Sequence, residues 1–209
     1  TWLVTHVSGR LVKAYPAAGH KAQKMNIRSH FAQGCGFYKL FWIFMIGSFL
    51  GDIVETVFCR LTMGYWMSRS SLVWGPFSIV WGLAMALATA LLYKDRDKSE
   101  VRLFVIGTLL GGAYEYICSD FTEVVFGKIF WDYSKFAFNL GGRVNLLYCF
   151  FWGFAAVLWI KLIYPALSWL IEKIPVRTGK IATWVMVIFM TLNIAVSMMA
   201  LIRSDGRDK

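Results

Sequence analysis

Charge is scarce in this sequence: 16% of its 209 residues are Asp, Glu, Lys or Arg, against about 25% in ordinary soluble domains. Proline occurs four times and histidine three times. The four cysteines, Cys35, Cys59, Cys118 and Cys149, make no C-x-x-C pair, and three of them stand in apolar runs. That excludes a disulfide scaffold and points to small buried hydrophobes. No G-x-x-x-x-G-K-[ST], H-E-x-x-H, G-x-S-x-G or S-x-x-K motif occurs, so the sequence carries no sign of nucleotide hydrolysis, a zinc protease site or an activated serine. What is abundant is apolar surface. Hydrophobic residues are 58% of the chain and aromatics 17%, with ten Trp. A soluble core of this length cannot cover so much, so either a partner or a lipid bilayer must cover it.

A spanning helix needs about 20 apolar residues, and five stretches qualify. They run from about Tyr38 to Cys59, from Leu72 to Tyr93, from Leu103 to beyond Glu115, from Val144 to Leu162 and on towards Pro165, and from Ile181 to Ile202, the last without a charge. Of the basic residues, 14 fall before the first span, in the 94–102 linker and between the fourth and fifth spans; 8 fall on the opposite side. The positive-inside rule then places the N-terminus in the cytoplasm of a cell-membrane protein. The first 36 residues are polar and basic with no apolar signal core, so the first span is expected to act as its own insertion signal. Residues 1–37 read as a basic cytoplasmic segment, in which WLVTHVSGRLVKAY would suit a short helix on an anionic leaflet. Residues 203–209 read as a polar tail. The net charge of +10 is spread over these flanks and forms no single stripe, so nucleic acid is not an expected partner.

Residues 44–55, FMIGSFLGDIVE, and 104–115, FVIGTLLGGAYE, are identical at six of twelve positions. Their shared skeleton is G-x-x-x-G-x-x-x-E: Gly47, Gly51 and Glu55, then Gly107, Gly111 and Glu115. Positions four apart lie on one helix face. Two glycines there let another backbone approach closely, and the glutamate one turn on points into the same interface. Each repeat is followed by a span with a Trp-Gly step, Trp81-Gly82 and Trp152-Gly153. The expected architecture is all-α: two parallel-repeat helical hairpins, about 38–93 and 101–165, within a duplicated domain over 38–175, plus a fifth helix over 181–202.

Acidic groups gather near the outer ends of these helices: Asp52, Glu55, Glu115, Asp120, Glu123 and Asp132. Glu115, Ser119 and Glu123 share a face of the third helix. Trp131 and Tyr133 suit the headgroup level, and Asn139, Gly141, Gly142 and Arg143 precede the fourth helix. Arg143 is the natural countercharge for one of the glutamates, since an isolated carboxylate is costly in the membrane. The candidate site is therefore a polar pocket lined by Glu55, Glu115, Glu123, Asp132, Asn139 and Arg143, with Tyr114, Tyr116 and Trp131 as walls.

The stretch E-Y-x-x-S-x-x-x-E-x-x-F-G-K-x-x-W-D-Y-S (115–134), then N-L-G-G-R-V-N-L (139–146) and a later W-G, resembles the ABC-transporter type IV (CmpB-like) family of membrane proteins. The G-x-x-x-E helix, Gly75-Pro76 and the W-G step after it are similar to that family's first hairpin. The resemblance spans about residues 38–175; Ala137 and Phe138 stand where a proline-containing stretch is usual, and Asn145 replaces a more apolar residue. It implies a helical membrane fold and a transport role.

Three functions fit the sequence. A transporter or permease component would use the paired glutamates as a polar pathway, act as a homo-oligomer or draw on a separate ATPase subunit. An intramembrane enzyme would use the two carboxylates as acid and base, or as ligands to a hard cation such as Mg²⁺, Ca²⁺ or Mn²⁺. A regulatory or scaffolding protein would use them as a structural ion-pair set. An imidazole metal site is not expected, because His6, His20 and His30 all precede the first span.

Overall fold

A computed structural model of the chain describes residues 30–127 and 129–205, with backbone alone at 204 and 205. The proposed surface helix within residues 1–29, His6, His20, Lys128 and the end of the tail lie outside the described residues.

The described chain is mainly helical, with almost no strand. Helix α1 is Phe37–Met63, α2 is Ile79–Leu92 followed by a 3₁₀ turn over Tyr93–Asp95, and α3 is Glu100–Phe126. A two-residue ladder, β1 (Asn139–Leu140) against β2 (Val144–Asn145), closes the next loop. Then come α4 (Leu146–Leu158), a π turn over Trp159–Ile163, α5 (Tyr164–Glu172) and α6 (Val176–Asp205). Local chemistry sets these bounds. Ser99 caps α3 by accepting from the Arg102 amide, Asn145 caps α4 by accepting from Leu147, and α1 and α3 each end on a left-handed glycine, Gly64 and Gly127.

Four helices are long and apolar enough to cross a bilayer: Phe37–Met63, Glu100–Phe126, Leu146–Glu172 and Val176–Arg203. The third of these runs through Pro165, where the expected hairpin ended, and on to Glu172. Proline removes the amide that would bond the carbonyl four residues back, and the π turn just before it absorbs the mismatch.

The second expected span comes out differently. Only 14 residues of it, Ile79–Leu92, form an α-helix, about 21 Å against a hydrocarbon thickness of about 30 Å. Residues 72–78 are apolar enough for a span, but Gly75 has φ +83° and Pro76 follows it, and neither sustains a helix. This irregular stretch runs deep. The Ser78 amide donates to the Ser48 carbonyl at 2.9 Å, which lies about 16 Å along α1 from its first residue.

Backbone at such depth needs internal partners, and α6 supplies them. Asn193, fully buried, accepts from the Trp74 amide at 3.1 Å and donates to the Trp74 carbonyl at 2.7 Å, while Ser197 accepts from Val73. Asn193→Leu is expected to leave both Trp74 groups unpaired and to cost about 2 kcal/mol or more. Thermal unfolding in detergent, followed by Trp fluorescence, would show the lower midpoint; an unchanged midpoint would mean the segment does not rest on α6.

Helix α1 packs most extensively along α2, and α3 along α4. The two pairs meet where α2 faces α3 and α4. Here the Tyr114 hydroxyl donates to the Val80 carbonyl at 2.7 Å, and Trp159 Nε1 donates to Thr89 at 2.9 Å. A cluster built on Phe31, Ile43, Leu92, Leu103, Trp159 and Tyr164 fills the end nearest the 94–99 linker. A second, of Met45, Leu72 and Met190, lies under the irregular segment. The outward surface is apolar along its length, with Leu61, Leu109 and Val124 each more than two-thirds exposed, as lipid contact requires.

Candidate functional site

Each acid-bearing helix reaches its partner through the predicted glycine face. A Cβ added at Gly51 would collide with Cβ and Cγ of Trp81, and one at Gly111 would collide with the same atoms of Trp152. One turn earlier, Gly47 faces Met85 and Gly82, and Gly107 faces Ala156 and Gly153. The contact is reciprocal: Gly82 sits against Ser48 and Phe44, and Gly153 against Thr108 and Phe104. The close approach thus serves to seat a tryptophan over each glycine.

The seated indoles aim their ring N–H groups at the glutamates. Trp81 Nε1 donates to Glu55 at 3.1 Å, and Trp152 Nε1 donates to Glu115 at 3.3 Å. The two indoles touch, their centroids 5.8 Å apart and planes inclined at 51°. The result is a contact chain, Glu55–Trp81–Trp152–Glu115, that runs from one helix pair to the other. The carboxylates do not meet directly; two aromatic rings join them.

The remaining partners differ between the two ends. Glu55 is paired with Arg69 at 2.9 Å and is about one-quarter exposed. Glu115 is 8% exposed and has no basic partner among the described residues; it accepts from the Tyr133 hydroxyl at 2.7 Å. That loop hydroxyl is held well above the ordinary phenol range, by burial first and then by its hydrogen bond to Glu115. Near Glu55, Asp52 is 3% exposed, and its Oδ1, with Ser48 Oγ and Thr56 Oγ1, has no hydrogen-bond partner among the described residues. These three recur every four residues on α1.

The other four residues named from sequence form a separate cluster towards the 127–145 loop. Arg143 pairs with Glu123 and, at 3.6 Å, with Asp120, and lies over the Tyr116 ring. Its guanidinium is pushed up further by the Glu123 hydrogen bond. Asp132 and Asn139 shape the loop itself. Asp132 accepts from the Ser134 amide at 2.8 Å and its hydroxyl at 3.0 Å, which holds its carboxyl below the usual range. Asn139 donates to the Phe136 carbonyl at 2.7 Å and accepts from Gly142 at 2.9 Å. Trp131 donates to the Arg143 carbonyl, and Tyr133 stacks on Tyr148 at 4.8 Å. Among the described residues, no three His, Cys, Asp or Glu side chains gather as metal ligands.

Two features escaped the sequence reading. Lys39, counted there among the flanking positive charges, is fully buried and bonded to Glu172 and Ser168. The Asn193–Ser197 latch was hidden in a span noted only for lacking charge; two polar residues four apart were the available signal.

Four bilayer-length apolar helices with an apolar outward surface define a multi-pass helical membrane protein. Residues 42–198 match the model of the family described as "Putative ABC-transporter type IV", and the chain belongs to that family. The match takes in α6 up to Met198, beyond the expected limit at 175. No curated protein and no solved structure matches the chain.

Proposed function

We propose that this protein is the membrane-embedded subunit of a transporter, built as a duplicated hairpin with Glu55 and Glu115 as its equivalent working groups. The observation that carries the reading is the contact chain Glu55–Trp81–Trp152–Glu115, with a carboxylate at each end and the same glycine-seated indole beside each. Intramembrane carboxylates are costly, about 2.5–3.5 kcal/mol each on insertion scales, and two at related positions favour a functional use. In this scheme α2, with its descending segment and 3₁₀ turn, makes the fifth crossing, so that α1 and α3 point the same way. The basic 94–102 and 161–180 regions then face the cytoplasm.

The chemistry favours a solute rich in hydrogen-bond donors or positive charge. Both carboxylates already accept from such groups: Arg69 and Trp81 at one, Tyr133 and Trp152 at the other. A cationic solute would exchange for these donors without stranding an acceptor. Glu123, Asp132, Asn139 and Arg143 would form the outer approach. Energy would come from a separate ATPase subunit docked on the cytoplasmic face, and a homo-oligomer would complete the pathway. A hard divalent cation or an acid–base pair suits the site less, because two indoles stand between the carboxylates.

A structural role is the second reading, favoured by one observation: every donor to Glu55 and Glu115 comes from its own hairpin and the loop it carries. Glu115→Gln separates the two, since the glutamine oxygen accepts from Trp152 while its NH2 donates to the Tyr133 hydroxyl oxygen, which keeps both contacts without the charge. Affinity capture from native membranes is expected to bring an ATP-hydrolysing subunit, and nucleotide-driven uptake of organic cations into reconstituted vesicles should fall at least about tenfold, the effect of about 1.4 kcal/mol, with the unfolding midpoint held. A scaffold would instead capture no ATPase and show Glu115→Gln only as a change in stability.

A further inference from the structure

Below the touching indoles, between the two helix pairs, lies a cavity of about 420 Å³. Trp81, Gly111 and Trp152 roof it, Ala84, Ala113 and Ala155 make room along its walls, and the exposed Leu91 and Ile163 stand at its lower mouth, beside the buried Leu92. We propose that this cavity holds one acyl chain of an anionic phospholipid from the leaflet on the linker side, with the lipid's phosphate on the 94–102 linker.

Three observations support this occupant. The lining is apolar, and its hydrogen-bonding groups are already used: Trp159 Nε1 donates to Thr89, the Tyr114 hydroxyl to Val80, and both roof indoles to glutamates. A polar solute would find no free partner there. The cavity runs along α2 from Trp81 to Leu92, about 16 Å at 1.5 Å per residue, which is one leaflet of a hydrocarbon core about 30 Å thick. Finally, the chain leaves the mouth directly into a basic segment. Asp95 is paired with Arg102 and Asp97 with Arg96, which leaves Lys94 and Lys98, against the linker's single further acid Glu100, without an acidic partner among the described residues. Lys161, beside the mouth, ties the linker down by donating to the Arg96 and Lys98 carbonyls at 2.9 and 2.8 Å. The headgroup surface is therefore fixed over the mouth.

The full chain, reconstituted in vesicles of equal parts phosphatidylglycerol and phosphatidylcholine, is extracted in mild detergent and examined by native mass spectrometry. One phospholipid per chain is expected to survive detergent exchange, enriched in phosphatidylglycerol. Ala113→Phe and Ala155→Phe, both at exposed positions of the wall, should each abolish the retained lipid with the unfolding midpoint held. Lys94→Gln with Lys98→Gln should keep a lipid but lower the phosphatidylglycerol preference by about fivefold per lysine. Millimolar inorganic phosphate should displace nothing. Retention unchanged in both phenylalanine variants, a second protein copy in place of the lipid, or displacement by phosphate would each overturn the assignment.

Discussion

Gly51→Ala and Gly111→Ala are each expected to cost about 3 kcal/mol or more, above the usual range for one added methyl group. The new Cβ would meet Cβ and Cγ of a tryptophan, atoms tied to the opposing backbone that cannot swing aside. Relief requires the two helices to part, and parting withdraws the indole from its glutamate, so packing and a charge-assisted hydrogen bond are lost together. Position makes the prediction sharp. At Gly47 the new Cβ would lie 2.9 Å from Met85 Cγ and 3.0 Å from its Cβ, and a methionine repacks more easily, so Gly47→Ala should cost clearly less. At Gly107 the obstacle is the methyl group of Ala156. Gly107→Ala should therefore be severe alone and substantially rescued by Ala156→Gly, because the exchange restores the total volume. Unfolding midpoints in detergent would rank the four variants. Equal costs at Gly47 and Gly51, or no rescue at 107 and 156, would mean that the helices do not approach along this face.

That ranking also marks how much could be read in advance. The four-residue spacing of glycine and glutamate placed Gly47, Gly51 and Glu55, and their counterparts, on one face, because helical geometry is local. Which residue fills the space over each glycine depends on the register between two helices, and register is a long-range property. The Trp-Gly steps were visible in the sequence, but their indole–carboxylate bonds were not. The same limit explains Arg143. Sequence suggested a countercharge for a glutamate, and the fold delivers it to Glu123, two turns along α3 from Glu115. The second expected span differs for another reason: residues 72–78 satisfy hydropathy, while Gly75-Pro76 breaks the helix that hydropathy assumes and leaves only Ile79–Leu92 helical. What makes that irregular stretch tolerable is Asn193, more than a hundred residues away.

Lys39→Met is the second large effect, expected at about 3 kcal/mol, the lower end for breaking a buried ion pair. Lys39 is fully buried near the start of α1, where its apolar stem packs and its ammonium meets three acceptors. These are Glu172 Oε1 at 2.6 Å, the Ser168 carbonyl at 3.1 Å and the Ser168 hydroxyl oxygen. All three sit on α5, so this one side chain fastens the first helix to the end of the composite span Leu146–Glu172. Methionine keeps the stem but leaves Glu172 without its cation. Because the Glu172 side chain is 30% exposed, water recovers part of the loss, which is why the lower end of the range applies. Removing both charges should be milder: Lys39→Met with Glu172→Leu leaves no unpaired ion and is expected to regain most of the lost stability. A double variant as unstable as Lys39→Met alone would show that the lysine acts through shape and not through charge. A single variant with no loss at all would show that the ammonium reaches water instead of α5.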